Sequence, residues 1–105
     1  MEIQKEIKDF VFIKFGSSID GEEVFGETEL DIDNHDIILK VVNEELAKGH
    51  VNFMLELKNI KYVDSSGFST ILTSYKSVIE RGGMFKIMNP SDHVKRVLDI
   101  LRIEM

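Results

Sequence analysis

Apolar positions along the chain switch between an alternating and a helical rhythm. Phe10-Val11-Phe12-Ile13-Lys14-Phe15 is dense in strand formers. Ser17-Ser18-Ile19-Asp20-Gly21 follows with turn signals, among them Asp-Gly. Glu23 to Leu30 reads as a weaker strand, so the two runs predict a hairpin. Met1 to Lys8 is either an extension of the first strand or an arm outside the fold.

The rhythm then becomes helical. Ile37, Ile38, Val41, Val42 and Leu46 share one helical face, with Asp33 or Asn34 placed to cap it and Gly49 to end it after Lys48. Val51-Asn52-Phe53-Met54-Leu55-Glu56-Leu57 predicts a largely buried strand. A short apolar run, Ile60, Tyr62 and Val63, precedes a second helix with Phe68, Ile71, Leu72, Tyr75, Val78 and Ile79 on its stripe. That helix stops at Gly82-Gly83. Met84 to Met88 predicts another strand, closed by Asn89-Pro90, after which Ser91 caps a third helix with Val94, Val97, Leu98 and Leu101 inward. The order β-β-α-β-α-β-α implies parallel crossovers in one sheet covered by helices, made mixed by the hairpin. The fold class is α/β, in a single domain over residues 1–105, with 1–8 as an N-terminal extension.

Composition narrows the function classes. The chain has 105 residues, 43% hydrophobic and 30% charged, which suits a soluble globular domain with a real core. No run approaches the roughly 18 apolar residues of a membrane span. The charged start, Met1-Glu2-Ile3-Gln4-Lys5-Glu6, is unlike a signal peptide. No cysteine is present, which removes disulfides, thiolate chemistry and Cys-based metal sites and fits a cytoplasmic location. Nineteen acidic residues against 13 basic ones give a net charge of −6. Such a surface disfavours nucleic acid and favours a protein partner with a basic patch.

Enzyme and metal signatures fail one by one. Neither a Gly-x-Gly-x-x-Gly nor a Gly-x4-Gly-Lys-Ser/Thr string occurs, and Gly82-Gly83 follows a helix instead of opening one. His35, His50 and His93 each fall near a helix end without ligand spacing. Asp31-Ile32-Asp33-Asn34-His35-Asp36 resembles a calcium loop only until its central glycine position, where Asp36 stands. Acids at a helix start account for it. Ser65 and Ser66 lack the Gly-x-Ser-x-Gly elbow of a hydrolase nucleophile. No catalytic residue, cofactor or metal is expected.

Val63-Asp64-Ser65-Ser66-Gly67 joins the short apolar run to the second helix. Hydroxyls there sit beside backbone N–H groups that have no partner within the helix. Ser65 or Ser66 is therefore either an N-cap, worth about 1 kcal/mol, or an acceptor of phosphate. A phosphate would leave the helix intact and place a dianion beside Asp64, repelling a partner fitted to the unmodified surface. Local chemistry leaves the two serines equivalent.

Wider context separates them. Val63-Asp64-Ser65-Ser66-Gly67-Phe68 with Ile71-Leu72 and Tyr75-Lys76 resembles the signature of the anti-sigma factor antagonist family, the STAS domain. Glu29-Leu30-Asp31, Phe53-Met54-Leu55-Glu56-Leu57 and Asn89-Pro90-Ser91 with Val94-Lys95-Arg96-Val97-Leu98 are similar to further family segments, so the likeness runs from Phe10 to Leu101. It implies that Ser65 is the phospho-acceptor. It also implies an anti-sigma factor that doubles as an ATP-dependent serine kinase, bound by the unphosphorylated form, and a PP2C-type phosphatase that resets the switch. Asp31, Asp33, Asp64, Ser66, Gly67 and Ser69 would shape the partner surface. The rival within the family is a subunit of a stressosome-like or lipid-transport assembly without a phospho-switch. Thr28 departs from the usual glycine, residues 1–8 are longer than the usual start, and the chain ends at Met105 before the family's last strand and helix. The resemblance therefore leaves a monomer or a weak dimer.

Overall fold

The computed structural model describes residues 1–21 and 23–100. Strict alternation builds its main sheet. In β2 (Val11–Gly16) the odd residues Val11, Ile13 and Phe15 are buried, while Phe12 and Lys14 are half-exposed. Strand β6 (Asn52–Glu56) repeats the pattern with Phe53 and Leu55 inward, and β8 (Met84–Met88) with Phe85 and Ile87 inward. These three strands are parallel, and β1 (Glu2–Ile7) runs antiparallel beside β2, giving the order β1-β2-β6-β8.

The expected hairpin is corrected here. The antiparallel neighbour of β2 is the N-terminal segment β1, in register from Glu2↔Gly16 to Ile7↔Val11. The stretch Glu23–Leu30 divides instead. Its first part, β4 (Glu23–Phe25), closes a small hairpin with β3 (Ser18–Asp20). That hairpin crosses the end of β2 at Gly16, where a Cβ would lie 2.5 Å from the Phe25 carbonyl oxygen. The second part, β5 (Thr28–Leu30), pairs in parallel with β7 (Ile60–Val63), the short apolar run before the second helix.

Helix α1 (Asp36–Ala47) buries Ile38, Val42 and Leu46 as its spacing predicts, and the chain leaves it at Gly49 with φ 93°. Its start differs from expectation. His35 holds the cap position without a side-chain bond, and neither Asp33 nor Asn34 caps the helix. Helix α2 (Ser65–Glu80) buries Gly67, Thr70, Ile71, Ser74 and Val78, whereas Ile79 is exposed. The buried stripe is thus rotated toward small residues, which suits the close packing of α2 against α1. The buried hydroxyls of Thr70 and Ser74 find no hydrogen-bond partner among the described residues. In α3 (Asp92–Ile100) Val94 and Leu98 are buried, and Ser91 Oγ accepts from the Val94 N–H at 3.3 Å, as a cap. Leu101, expected inward on this helix, lies outside the described residues.

One charge sits inside this core edge. Glu45 on α1 is buried, yet it receives Lys5 Nζ of β1 at 2.8 Å, His50 Nδ1 at 2.9 Å and Lys48 Nζ at 3.1 Å. The Lys5 bond holds the carboxyl down at about 2, against burial that pushes it up, with His50 and Lys48 assisting. Through this carboxylate the edge strand β1 is fastened to the last turn of α1.

Candidate functional site

Strands β5 and β7 end side by side, with Leu30 opposite Val63. Leu30 is fully buried and Val63 nearly so, which fixes where the next residues of both strands emerge. Asp31 follows the first strand and Asp64 the second. The Asp64 N–H donates to the Leu30 carbonyl at 3.1 Å, extending the parallel ladder by one bond.

Asp64 then works with both carboxylate oxygens. Oδ1 accepts from the Gly67 N–H at 2.9 Å and is the true N-cap of α2; Oδ2 accepts from the Ile32 N–H at 3.1 Å. The cap reading of Ser65 and Ser66 is therefore corrected: the aspartate before them takes that role. Its carboxylate is the shorter-reaching acceptor for the third N–H of the helix and carries a charge favourable at that end. Ser65 becomes the first helical residue, exposed, and its hydroxyl bonds to no other described residue. Ser66 is half-buried.

Gly67 explains how the helix can start so close to β5. A Cβ there would lie 2.6 Å from the Leu30 carbonyl oxygen and 2.6 Å from Val63 Cγ1. Without that close approach the Asp64 bridge to Ile32 could not form.

The facing loop is ordered by its own side chains. Asp31 Oδ1 accepts from the Asp33 N–H at 3.0 Å, an Asx turn. Asn34 Oδ1 accepts from the Asp31 N–H at 2.9 Å while Asn34 Nδ2 donates to the Glu29 carbonyl at 2.9 Å. Asn34 and Ile32 are the residues that sequence reasoning missed in this site. An asparagine three residues after an aspartate, at the close of a strand, was the available signal for the first. Ile32, 69% exposed, carried none.

The structure thus brings Asp31, Asp33, Asp64, Ser65, Ser66 and Gly67 to one edge. Ser69, exposed, continues it one turn along α2, on the same helix face as Ser65. None of the three aspartates is in an ion pair among the described residues. The edge is a negative, backbone-braced surface around an exposed serine. Among the described residues, no side chain hydrogen-bonds to that hydroxyl.

Two hydrogen-bonded loops flank the exposed Ser65 hydroxyl at the end of a parallel strand pair, on an α/β fold. The chain belongs to the STAS domain family, whose profile matches residues 24–104. It is 35% identical over 77 residues to a Thermotoga neapolitana protein provisionally named an anti-sigma factor antagonist, covering 72% of this chain and 68% of that one. The anti-sigma F factor antagonist of Paenibacillus polymyxa is 32% identical over 73 residues, 69% of this chain and 62% of the other. Among solved structures, the Bacillus anti-sigma factor antagonist SpoIIAA superposes with TM-score 0.74 in its unphosphorylated form, at 19% identity, over 94% of this chain and 83% of that chain. Its phosphorylated form superposes with TM-score 0.73 at 18% identity, over 95% of this chain and 83% of that one. The fold is shared at this distance. Among the described residues no helix is long and apolar enough to cross a membrane.

Proposed function

We infer that this protein is an anti-sigma factor antagonist controlled by phosphorylation of Ser65. The observation that carries the reading is the exposed, unpartnered Ser65 hydroxyl at the first position of α2, beside a carboxylate already committed to the helix cap. The names of its relatives supply the biological role, and a solved relative exists in both phosphorylated and unphosphorylated forms. Unmodified, the Asp31–Asp33–Asp64 edge with Ser65, Ser66, Gly67 and Ser69 binds an anti-sigma factor and frees a sigma factor in the cytoplasm. The anti-sigma factor acts as a serine kinase on Ser65 and a PP2C-type phosphatase reverses it. The protein itself catalyses nothing.

A phosphate at Ser65 gains from the N-terminus of α2, so the fold is kept, while its charge adds to three unpaired aspartates. The bound partner is then expelled by repulsion at the contact, not by refolding. The test is incubation with the serine-kinase anti-sigma factor of the same organism and ATP. Wild type takes up one phosphate per chain and loses its binding, whereas Ser65→Ala takes up none and stays bound. Equal labelling of Ser65→Ala overturns the acceptor assignment, and absence of wild-type binding overturns the function.

A further inference from the structure

The face of the main sheet turned away from the helices is uncovered across its whole width. Parallel strands usually carry layers on both faces. Here Glu6, Phe12, Lys14, Met54, Glu56, Lys86 and Met88 are all half-exposed, while the odd-numbered residues of β2 and β6, with Phe85 and Ile87 of β8, fill the core. We propose that a second copy of this chain covers this face, forming a two-fold dimer by sheet-on-sheet packing.

The register of the strands carries the argument. One row across β1, β2, β6 and β8 reads Glu6, Phe12, Met54, Lys86. The next reads Gln4, Lys14, Glu56, Met88. A two-fold axis parallel to the strands, placed between β2 and β6, sets each row against itself reversed. Glu6 then meets Lys86 of the second copy, Phe12 meets its Met54, and Lys14 meets its Glu56. Every charge in both rows faces its opposite. An axis across the strands would instead bury Phe12 against Lys14 and Met54 against Glu56, so only one orientation is self-complementary.

Sheet twist does not spoil the match. Aligned sheets cross at about 30°. The Phe12–Met54 and Lys14–Glu56 pairs lie next to the axis and barely move. The outer Glu6–Lys86 pair lies about 7 Å from it and shifts by about 4 Å, within reach of two long side chains. A depression of about 300 Å³ on this face is bordered by Phe12 and Met88 and by the charged Glu6, Lys8, Lys14, Glu56 and Lys58. Within one chain these charges are only partly used. Lys14 Nζ reaches Glu6 at 3.4 Å, Glu56 accepts from the Lys58 N–H and Asn89 Nδ2, and Lys86 has no ion pair among the described residues.

Sedimentation equilibrium over a concentration series tests this, with circular dichroism confirming that each variant folds. Wild type self-associates. Lys14→Glu and Glu56→Lys each place like charges across the axis twice and raise the dimer dissociation constant about tenfold or more. Mixed together, those two variants pair with each other at close to wild-type strength. Should Glu56→Lys fail to fold, Glu6→Lys mixed with Lys86→Glu replaces that pair. A wild type that is monomeric at every concentration overturns the proposal. So do single reversals without effect, or a mixture that stays apart.

Discussion

The two ends of α1 hold carboxylates in opposite ways. At its C-terminal end Glu45 is buried and bonded by three basic side chains, Lys5 of β1 and Lys48 and His50 of the turn after the helix. At its N-terminal end Asp31 and Asp64 are bonded by backbone N–H groups and Asp33 stays exposed, with no ion pair among the described residues. Both arrangements satisfy oxygen atoms, but only the first cancels charge. Glu45 therefore uses its charge to hold β1, and the charge of the aspartate edge is left uncancelled among the described residues. The contrast separates a structural carboxylate from the proposed recognition surface by the partners each one has.

Four measurements can break that contrast. Removing Glu45 has the largest expected effect. Glu45→Ala releases Lys5 to solvent and leaves a gap at the end of α1, and urea unfolding is expected to show a loss of about 3 kcal/mol. A loss under about 1 kcal/mol would mean that the charge cluster does not anchor the edge strand.

Acid probes the same group. The Glu45 carboxyl lies at about 2 in the folded protein against 4.5 ordinarily, so the unfolded chain binds the proton first. Its contribution is complete above pH 4.5, falls as the pH drops toward 2, and amounts to on the order of 3 kcal/mol. Thermal melts across that window should show the decline in wild type and a shallower one in Glu45→Gln.

Gly67→Ala attacks the other end through sterics. Its Cβ would meet the Leu30 carbonyl and Val63. We expect about 1–3 kcal/mol of destabilisation by chemical denaturation, with faster exchange at the Ile32 amide. Asp64→Ala is the mildest change, at about 1 kcal/mol for the lost cap. Its larger signature is local: the Ile32 and Gly67 amides should lose protection while α1 and β6 keep theirs.

Most of the scaffold was legible because periodicity is local information. Ile38, Val42 and Leu46 announce α1, and Phe53 with Leu55 announces β6, whatever lies elsewhere in the chain. Pairing was less legible. The partner of β2 turned out to be β1, and β5 left its neighbours to join β7, since register between distant strands is written in contacts and not in spacing. Glu45 offered a signal that was not used: it sits three residues after Val42 on the inward phase of α1, where a charge needs partners. At the site, the acidic and hydroxyl residues were all visible in sequence. Which of three consecutive candidates would cap α2 depended on the geometry of the strand end at Val63, and that geometry fixed Asp64.

The ladder bond from Asp64 to Leu30 and the bond from Ile32 to Asp64 each join residues more than 30 positions apart. Such contacts depend on the fold that brings the two strand ends together, because the cost of closing a long loop is offset only by packing elsewhere. The aspartate edge is consequently a product of tertiary structure and not of local sequence. A peptide cut around Ser65 would carry the same serines with none of the frame, and without the loop that faces them. Under the proposed function, a partner that binds this edge reads the assembled domain and not a stretch of sequence.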